Sequence, residues 1–115
     1  MYNNMYKDGE KLIKDAREGR VTVKGIYLPE TIARGKVLKK TVYQAEPTVF
    51  GDITEISVLY LSPGAEILEH THVTDREVYY VGGLQLTCEA GQSHSYENAT
   101  RNEEVIVAVK QAIKL

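Results

Sequence analysis

The chain has 115 residues, of which 43% are apolar and 26% are charged, and its formal net charge is −2. A chain of this length forms one domain around one core. The small negative charge provides no broad basic surface for nucleic acid or for an anionic membrane, so neither is an expected partner. No window approaches the roughly 20 apolar residues of a membrane helix. The first residues lack the apolar run of a signal peptide, so we expect a cytoplasmic protein.

A short helix is predicted near the start of the chain. Asp8 can cap its N-terminus, Gly19 can end it, and the apolar side chains between them recur at helical spacing. We therefore assign residues 1–20 to an N-terminal helix and arm, and residues 21–115 to a single β-domain.

After Gly19 the pattern changes to short β-type runs that are separated by turn signals rich in Gly and Pro. Many short strands without alternating helices favour a sandwich or a barrel. The predicted strands are Val21–Tyr27, Val37–Gln44, Ile53–Leu61, Glu66–Val73, Glu77–Val81, Leu84–Cys88, Ser93–Asn98 and Val105–Lys110.

All the histidines of the chain fall within residues 70–94, and they are the candidate metal ligands. His70 and His72 are two apart in a segment of β character, so their side chains point to one face. Glu77 follows after residues that can turn the chain, and a hairpin would bring its carboxylate back beside the two imidazoles. His94 comes from a later strand and completes a set of four ligands.

Three neutral imidazoles and one carboxylate suit one divalent metal ion such as Fe, Mn, Ni or Zn. The single Cys88 cannot supply a tight thiolate zinc site. Four protein ligands on an ion that prefers six leave up to two positions for water or substrate, which is typical of a reactive site. Because the ion carries more positive charge than one carboxylate cancels, the site should attract anions or enolates.

Two stretches of the chain resemble the sequence motifs of the cupin superfamily. Residues 64–83, GAEILEHTHVTDREVYYVGG, are similar to the first motif, in which a Gly precedes His-x-His, a Glu and a later Gly. Residues 91–98, GQSHSYEN, are similar to the end of the second motif, in which Gly, His and Asn follow at fixed spacing. The matching residues are Gly64, His70, His72, Glu77 and Gly82 or Gly83 in the first motif, and Gly91, His94 and Asn98 in the second.

This resemblance implies an all-β fold, a single cupin jelly-roll β-barrel that holds the metal ion inside. It assigns the role of metal ligand to His70, His72, Glu77 and His94. It also makes Asn98 a structural position after the last ligand.

The chain departs from the family pattern between the two motifs. Only 16 residues separate Glu77 from His94, in a gap where the family usually has a further hairpin. Either that hairpin is trimmed and His94 is a ligand, or residues 84–98 are themselves the hairpin and His94 lies outside the site. We favour the first alternative because GQSHSYEN keeps both the Gly and the His-to-Asn spacing.

Three further side chains are expected to line the cavity beside the metal ion. Tyr79 and Tyr96 each follow a predicted ligand by two residues, and Leu68 precedes one by two, so each shares the face of a ligand. The tyrosine hydroxyls could serve a substrate or orient a ligand. Packing of both rings in the core, with the hydroxyls satisfied there, fits the pattern equally well.

The sequence supports three functional hypotheses. In the first, which the resemblance implies, a metal-dependent enzyme acts on a small anionic or sugar- or keto-acid-like molecule as a dioxygenase, isomerase, decarboxylase or lyase. In the second, the protein is a non-catalytic small-molecule-binding or sensor protein. In the third, the site binds nothing tightly, and the intact HxH…E pattern argues against this. No catalytic residue outside the ligand set is identified, because a fold and a ligand set do not specify a reaction.

A homodimer is the expected assembly. Small cupins are commonly dimers, and the apolar run VTVKGIYL could supply β-structure that is shared between subunits.

Overall fold

The computed structural model describes residues 25–44 and 46–113. These residues form only β-strands and no helix, so the predicted all-β class is confirmed for them. The predicted N-terminal helix and residues 21–24 of the predicted first strand lie outside the described residues. Nowhere in the described part is there a helix of the length and apolar character that crossing a membrane requires.

The sequence patterns predict most of the strand bounds to within one or two residues. β3, β4 and β7 have the predicted bounds, whereas β2 was not predicted because two residues are too few to show a pattern. The strands are β1 (Gly25–Tyr27), β2 (Ala33–Arg34), β3 (Val37–Gln44), β4 (Ile53–Leu61), β5 (Glu66–Thr71), β6 (Asp75–Val81), β7 (Leu84–Cys88), β8 (Ser93–Glu97) and β9 (Glu104–Ala112).

The strands form two antiparallel sheets. The larger sheet has the order β1-β3-β4-β9-β6-β7, and the smaller has the order β2-β5-β8. β6 and β7 form a hairpin through Gly82 and Gly83, whereas β8 crosses to the smaller sheet and pairs with β5. This crossing separates β8 from its neighbour in sequence and places it beside the strand that carries the His-x-His pair.

The main core lies between the two sheets, because its members come from both of them. The central strand β9 is buried on both faces, which explains why its sequence EVIVAVKQA is an almost continuous apolar run. The opposite face of the larger sheet buries a second cluster, formed by Val58, Val78, Tyr80, Val105, Val107 and Val109. The main core consists of Ala33, Val37, Leu59, Leu61, Ala65, Ile67, Tyr79, Ile106 and Ala108.

Gly35, in the turn between β2 and β3, approaches the backbone of Ala65 so closely that a side chain there would have to displace its neighbour slightly. Its φ is 75°, and an added Cβ would lie 3.2 Å from Cα of Ala65. Gly64 has a similar φ of 77°, but an added Cβ there meets nothing within 4 Å. Both glycines therefore have a backbone conformation that strains any other residue, but only Gly35 is also short of space for a side chain.

This difference predicts unequal effects of alanine at the two positions. Gly64→Ala should lower the free energy of unfolding by about 1 kcal/mol, since alanine is strained at positive φ. Gly35→Ala should lower it by a further ~1–3 kcal/mol, because the methyl group must push against Ala65. Urea denaturation of both variants measures the difference, and equal losses would show that the close approach to Ala65 costs nothing.

Candidate metal centre

Four side chains with metal-ligating atoms converge inside the barrel. They are His70 on β5, His72 just after it, Glu77 on β6 and His94 on β8, and their ligand atoms lie within 4.8 Å of one another. His70 is directly opposite His94 in the β5–β8 ladder. The N–H group of Gly91 donates a hydrogen bond of 2.7 Å to the carbonyl oxygen of His72, which holds the chain just beyond β5. The structure thus places His94 with the other three residues, as the trimmed-gap alternative requires.

The Oε1 atom of Glu77 is the common contact of the three rings. It lies 3.1 Å from Nε2 of His94, 3.4 Å from that of His72 and 3.9 Å from that of His70. Atoms that share one metal ion at bond lengths of about 2.1 Å lie roughly 3.0 Å apart at right angles and roughly 4.2 Å apart when opposite. The three distances fall within this range, so the four side chains can meet on one ion after small movements.

The backbone orients two of the imidazole rings. Nδ1 of His70 donates to the carbonyl oxygen of Leu68 at 2.7 Å, which directs the lone pair of Nε2 into the cluster. Nδ1 of His94 lies 3.4 Å from the carbonyl oxygen of Gln92, an acceptor in the same relative position. Both rings therefore have a backbone oxygen that favours the tautomer needed for a metal ligand.

The ring of His72 provides the observation that best tests whether the four side chains fit a metal ion. Nε2 of His72 is buried and lies 3.4 Å from Oε1 of Glu77, but it makes no well-directed hydrogen bond with a described residue. Buried polar atoms are nearly always satisfied in folded proteins, and an orphaned one asks for an explanation such as an ion. The donor set of three imidazoles and one carboxylate therefore fits a divalent metal ion.

The charge states also suit metal binding. Burial lowers the pKa of His70, which favours the neutral ring. Burial acts to raise the pKa of Glu77, but contact with His72 and the positive charge of Lys110 outweigh it and lower the pKa to about 2. Since metal ligands must be deprotonated, both groups are in the required state near neutral pH.

A β-bulge explains why the structure does not place Leu68 on the cavity wall. The β5–β8 ladder shifts register between Ile67 and His70. Such an extra residue reverses the alternation of side chains along the strand. Ile67 therefore lies on the inner face with His70 and lines the cavity, whereas Leu68 contributes only its backbone carbonyl to the site.

Tyr79 lies where the sequence predicts a cavity residue. It is 4% exposed, it lines the cavity, and its hydroxyl interacts with the carboxylate of Glu77. Burial, together with the negative charge of Glu77, raises the pKa of Tyr79. The hydroxyl therefore stays protonated and can help to orient the carboxylate.

Tyr96, the other predicted cavity residue, lies outside the cavity lining, and its hydroxyl bonds to a residue that is also outside it. The hydroxyl donates to both carboxylate oxygens of Glu104, at 3.1 Å each, and the ring packs against the main core. Burial and this hydrogen bond raise the pKa of Tyr96 to about 12. Tyr96 is not among the residues that line the cavity.

A cavity of about 200 Å³ adjoins the cluster and is lined in part by His70, His72 and Glu77. Pockets for drug-sized ligands measure roughly 300–1,000 Å³, so this cavity suits a small molecule. Its apolar wall consists of Leu28, Ile32, Leu59, Ile67 and Ala108.

Sequence reasoning missed a charged group in this cavity. Lys39 on β3, Glu55 on β4 and Lys110 on β9 all line it. The Nζ atoms of the two lysines lie 3.1 Å and 3.6 Å from the same Oε2 atom of Glu55. Strand alternation could have found them, since Lys110 shares a face with the buried Ala108. Glu77 stands directly opposite Lys110 in the β6–β9 ladder, so a row of charges of alternating sign crosses four neighbouring strands.

No protein-family model matches the sequence, and no curated protein matches it with significance. Solved structures do match. A predicted oxalate decarboxylase from Thermotoga maritima has a TM-score of 0.57 and 19% identity, covering 82% of this chain and 95% of that one. An acetylacetone dioxygenase from Acinetobacter johnsonii has a TM-score of 0.56 and 12% identity, covering 79% and 72%. A protein from Thermus thermophilus has a TM-score of 0.55 and 22% identity, covering 76% and 89%.

These likenesses concern the fold alone, because the identities are low. They agree with the two-sheet topology. In its fold, the chain is of the cupin type.

Proposed function

We propose that the protein holds one divalent metal ion, such as Fe, Mn, Ni or Zn, on His70, His72, Glu77 and His94, and that it acts as an enzyme on a small anionic molecule bound beside that ion. The observation that carries this proposal is the convergence of four ligand atoms within 4.8 Å at the wall of a small cavity. Four protein donors leave positions on an octahedral ion for a substrate.

The residues of the chain prepare the site before any ligand enters. The backbone carbonyl of Leu68 fixes the ring of His70, and Tyr79 supports the carboxylate of Glu77. The apolar wall lowers the local polarity, which strengthens electrostatic interactions inside the cavity. A bound ion would supply Lewis acidity or a site for dioxygen.

The names of two structural neighbours support small oxygen-rich substrates. One is a predicted oxalate decarboxylase and the other an acetylacetone dioxygenase. Oxalate and acetylacetone are both small molecules with two oxygen donors, which suits a cavity of about 200 Å³ beside an ion. Decarboxylase or dioxygenase chemistry is therefore the first reaction type to test.

A specific observation favours a second candidate, a binding or sensor protein without catalysis. Among the described residues that line the cavity, both carboxylates are engaged. Glu77 belongs to the ligand set, and Glu55 is held by two lysines. Neither carboxylate is placed as a general base, so the ion could serve only to anchor an anion.

Metal analysis of the purified protein tests the proposal. Protein purified without an affinity tag or added metal should contain close to one equivalent of a divalent transition metal. Chelation should lower the melting temperature, and re-addition of the metal should restore it, because an ion that binds only the folded state stabilises it. Protein that contains no metal and binds none on titration would overturn the proposal.

Turnover then separates the enzyme from the binding protein. Oxalate and acetylacetone are incubated with the metal-loaded protein, and their consumption is followed. Consumption that requires the metal supports the enzyme. Stabilisation of the protein by these molecules without consumption supports the binding protein.

A homodimer and a cytoplasmic location remain predictions. Among the described strands, β1 and β7 lie at the edges of the larger sheet, and each carries exposed apolar side chains. Unpaired strand edges of this kind can pair between subunits, which supports the dimer.

A further inference from the structure

The cavity contains a positive group that is separate from the His/Glu cluster. Lys39 and Lys110 both contact one oxygen atom, Oε2 of Glu55, at 3.1 Å and 3.6 Å. Their side chains are only 22% and 24% exposed, and that of Glu55 is 14% exposed. Among the described residues, Glu55 is the only carboxylate within ion-pair distance of either ammonium group. Two partly buried cations therefore share one anion.

Within the group of Lys39, Lys110 and Glu55 the unequal count leaves one positive charge and several hydrogen-bond donors in excess, and Glu77, opposite Lys110, is the nearest further carboxylate along the sheet. An ammonium group has three N–H donors and no acceptor, so contacts with one oxygen use a small part of what the two lysines offer. Burying a charge without a full set of partners is costly. An anion in the cavity would satisfy the remaining donors and cancel the surplus charge.

The sum of the formal charges in the cavity also favours an anionic ligand. Lys39, Lys110, Glu55 and Glu77 sum to zero, and a divalent ion on the His/Glu cluster would add two positive charges. A ligand with two negative charges balances this total. The positive charge would lie at two places, the ion at one and the lysine pair at the other.

We infer that the site takes a small dianion, a dicarboxylate, with one carboxylate at the His/Glu centre and the other at Lys39 and Lys110. This inference rests on the proposed metal centre and adds the substrate class. The cavity of about 200 Å³ has the volume of roughly seven waters at about 30 Å³ each. This matches a dicarboxylate of the size of malonate or succinate.

The test compares each dianion with a monoanion of nearly the same shape. Malonate and its monoamide malonamate are titrated calorimetrically into the full-length protein loaded with Co²⁺, and succinate and succinamate follow. Malonate or succinate should bind at least ~10-fold more tightly than its monoamide, since the amide loses a charged hydrogen-bond partner at the lysines. The visible absorption of Co²⁺ reports separately whether the metal centre has formed.

Substitution of the lysines locates the origin of this preference. Lys39→Met and Lys110→Met should each weaken dianion binding roughly 10- to 100-fold and change monoamide binding by less than about threefold. Each variant leaves Glu55 with the other lysine, so the carboxylate keeps a cation. Lys40→Met is the matched control, because Lys40 is adjacent to Lys39 on β3 and does not line the cavity.

The outcomes distinguish this inference from the proposed function. If Co²⁺ binds and the dianions show no preference, or show one that survives both lysine substitutions, the lysine subsite is overturned and the metal centre stands. A loss of affinity in Lys40→Met equal to that in Lys39→Met would also overturn it, since the effect would be one of net charge. Failure of the protein to bind Co²⁺ would overturn the metal centre itself, and the lysine subsite as stated with it.

Discussion

Replacing Glu77 with glutamine should lower the affinity of the protein for a divalent metal ion by about 100-fold or more. Glu77 is the only anionic member of the ligand set, and its Oε1 atom lies 3.1–3.9 Å from all three Nε2 atoms. Glutamine keeps the shape of the side chain but offers a neutral oxygen in place of a carboxylate. Competition titration of Co²⁺ against a chelator of known affinity measures the change.

The control for this substitution is Glu69→Gln. Glu69 is exposed and lies next to His70 on β5, so its substitution changes the net charge by the same amount outside the cluster. The affinity of this variant should stay within about twofold of the wild type, because exposed charges interact weakly. Wild-type affinity in a folded Glu77→Gln variant would remove Glu77 from the ligand set.

Replacing Asn98 with alanine should lower the free energy of unfolding by about 2–4 kcal/mol. Asn98 is fully buried just after β8. Its Nδ2 donates to the carbonyl oxygens of Leu61, Ser62 and Asn102 at 3.0, 3.2 and 2.8 Å. Its Oδ1 accepts hydrogen bonds from N and Oγ1 of Thr100. Alanine would leave these polar groups without their partner.

A second substitution identifies the donors as the source of the effect. In Asn98→Asp the carboxylate can still accept from Thr100 but cannot donate to the three carbonyl oxygens, so we expect a loss at least as large near neutral pH. Asn102→Ala is the control, because its side chain is exposed and its carbonyl remains. Urea denaturation followed by circular dichroism gives the three values. A loss below about 1 kcal/mol in Asn98→Ala would show that the network contributes little.

The sequence predicts the strands well because the turns between them contain Pro and Gly, whose backbone preferences are known. In the segment Ser62-Pro63-Gly64, proline presets one backbone angle and glycine takes the positive φ of 77° that follows it. Gly82 and Gly83 mark the β6–β7 hairpin in the same way. β2 shows the limit of this reasoning, because its two residues pair with β5 only once the barrel has formed.

The proximity of the four candidate ligands could be predicted in part because much of their spacing is local. His70 and His72 share a face through strand alternation alone, and the His-to-Asn spacing of the second motif favoured His94. Leu68 was misplaced because the bulge before His70 depends on pairing with β8, and no local pattern records which strand will be the partner.

The lysine pair was missed for a different reason. Lys39 and Lys40 are consecutive, so alternation sends one inward and one outward, and charged side chains are ordinarily expected in solvent. Glu55 was equally inconspicuous, since its strand changes register between Ile53 and Glu55. The cavity is lined from several strands that are distant in sequence, so its charged members become neighbours only in the folded chain.

The row of alternating charge from Glu77 through Lys110 and Glu55 to Lys39 has a thermodynamic consequence. Its members come from β6, β9, β4 and β3 of one sheet, and Lys39, whose backbone pairs with Leu59, reaches Glu55 with its side chain. An ion held at Glu77 withdraws that carboxylate from Lys110 and so makes the lysine end more attractive to an anion. By linkage, an anion held at the lysine end must strengthen metal binding by the same factor. We therefore expect the two ends of the row to bind cooperatively, and the affinity for Co²⁺ with and without malonate measures their coupling.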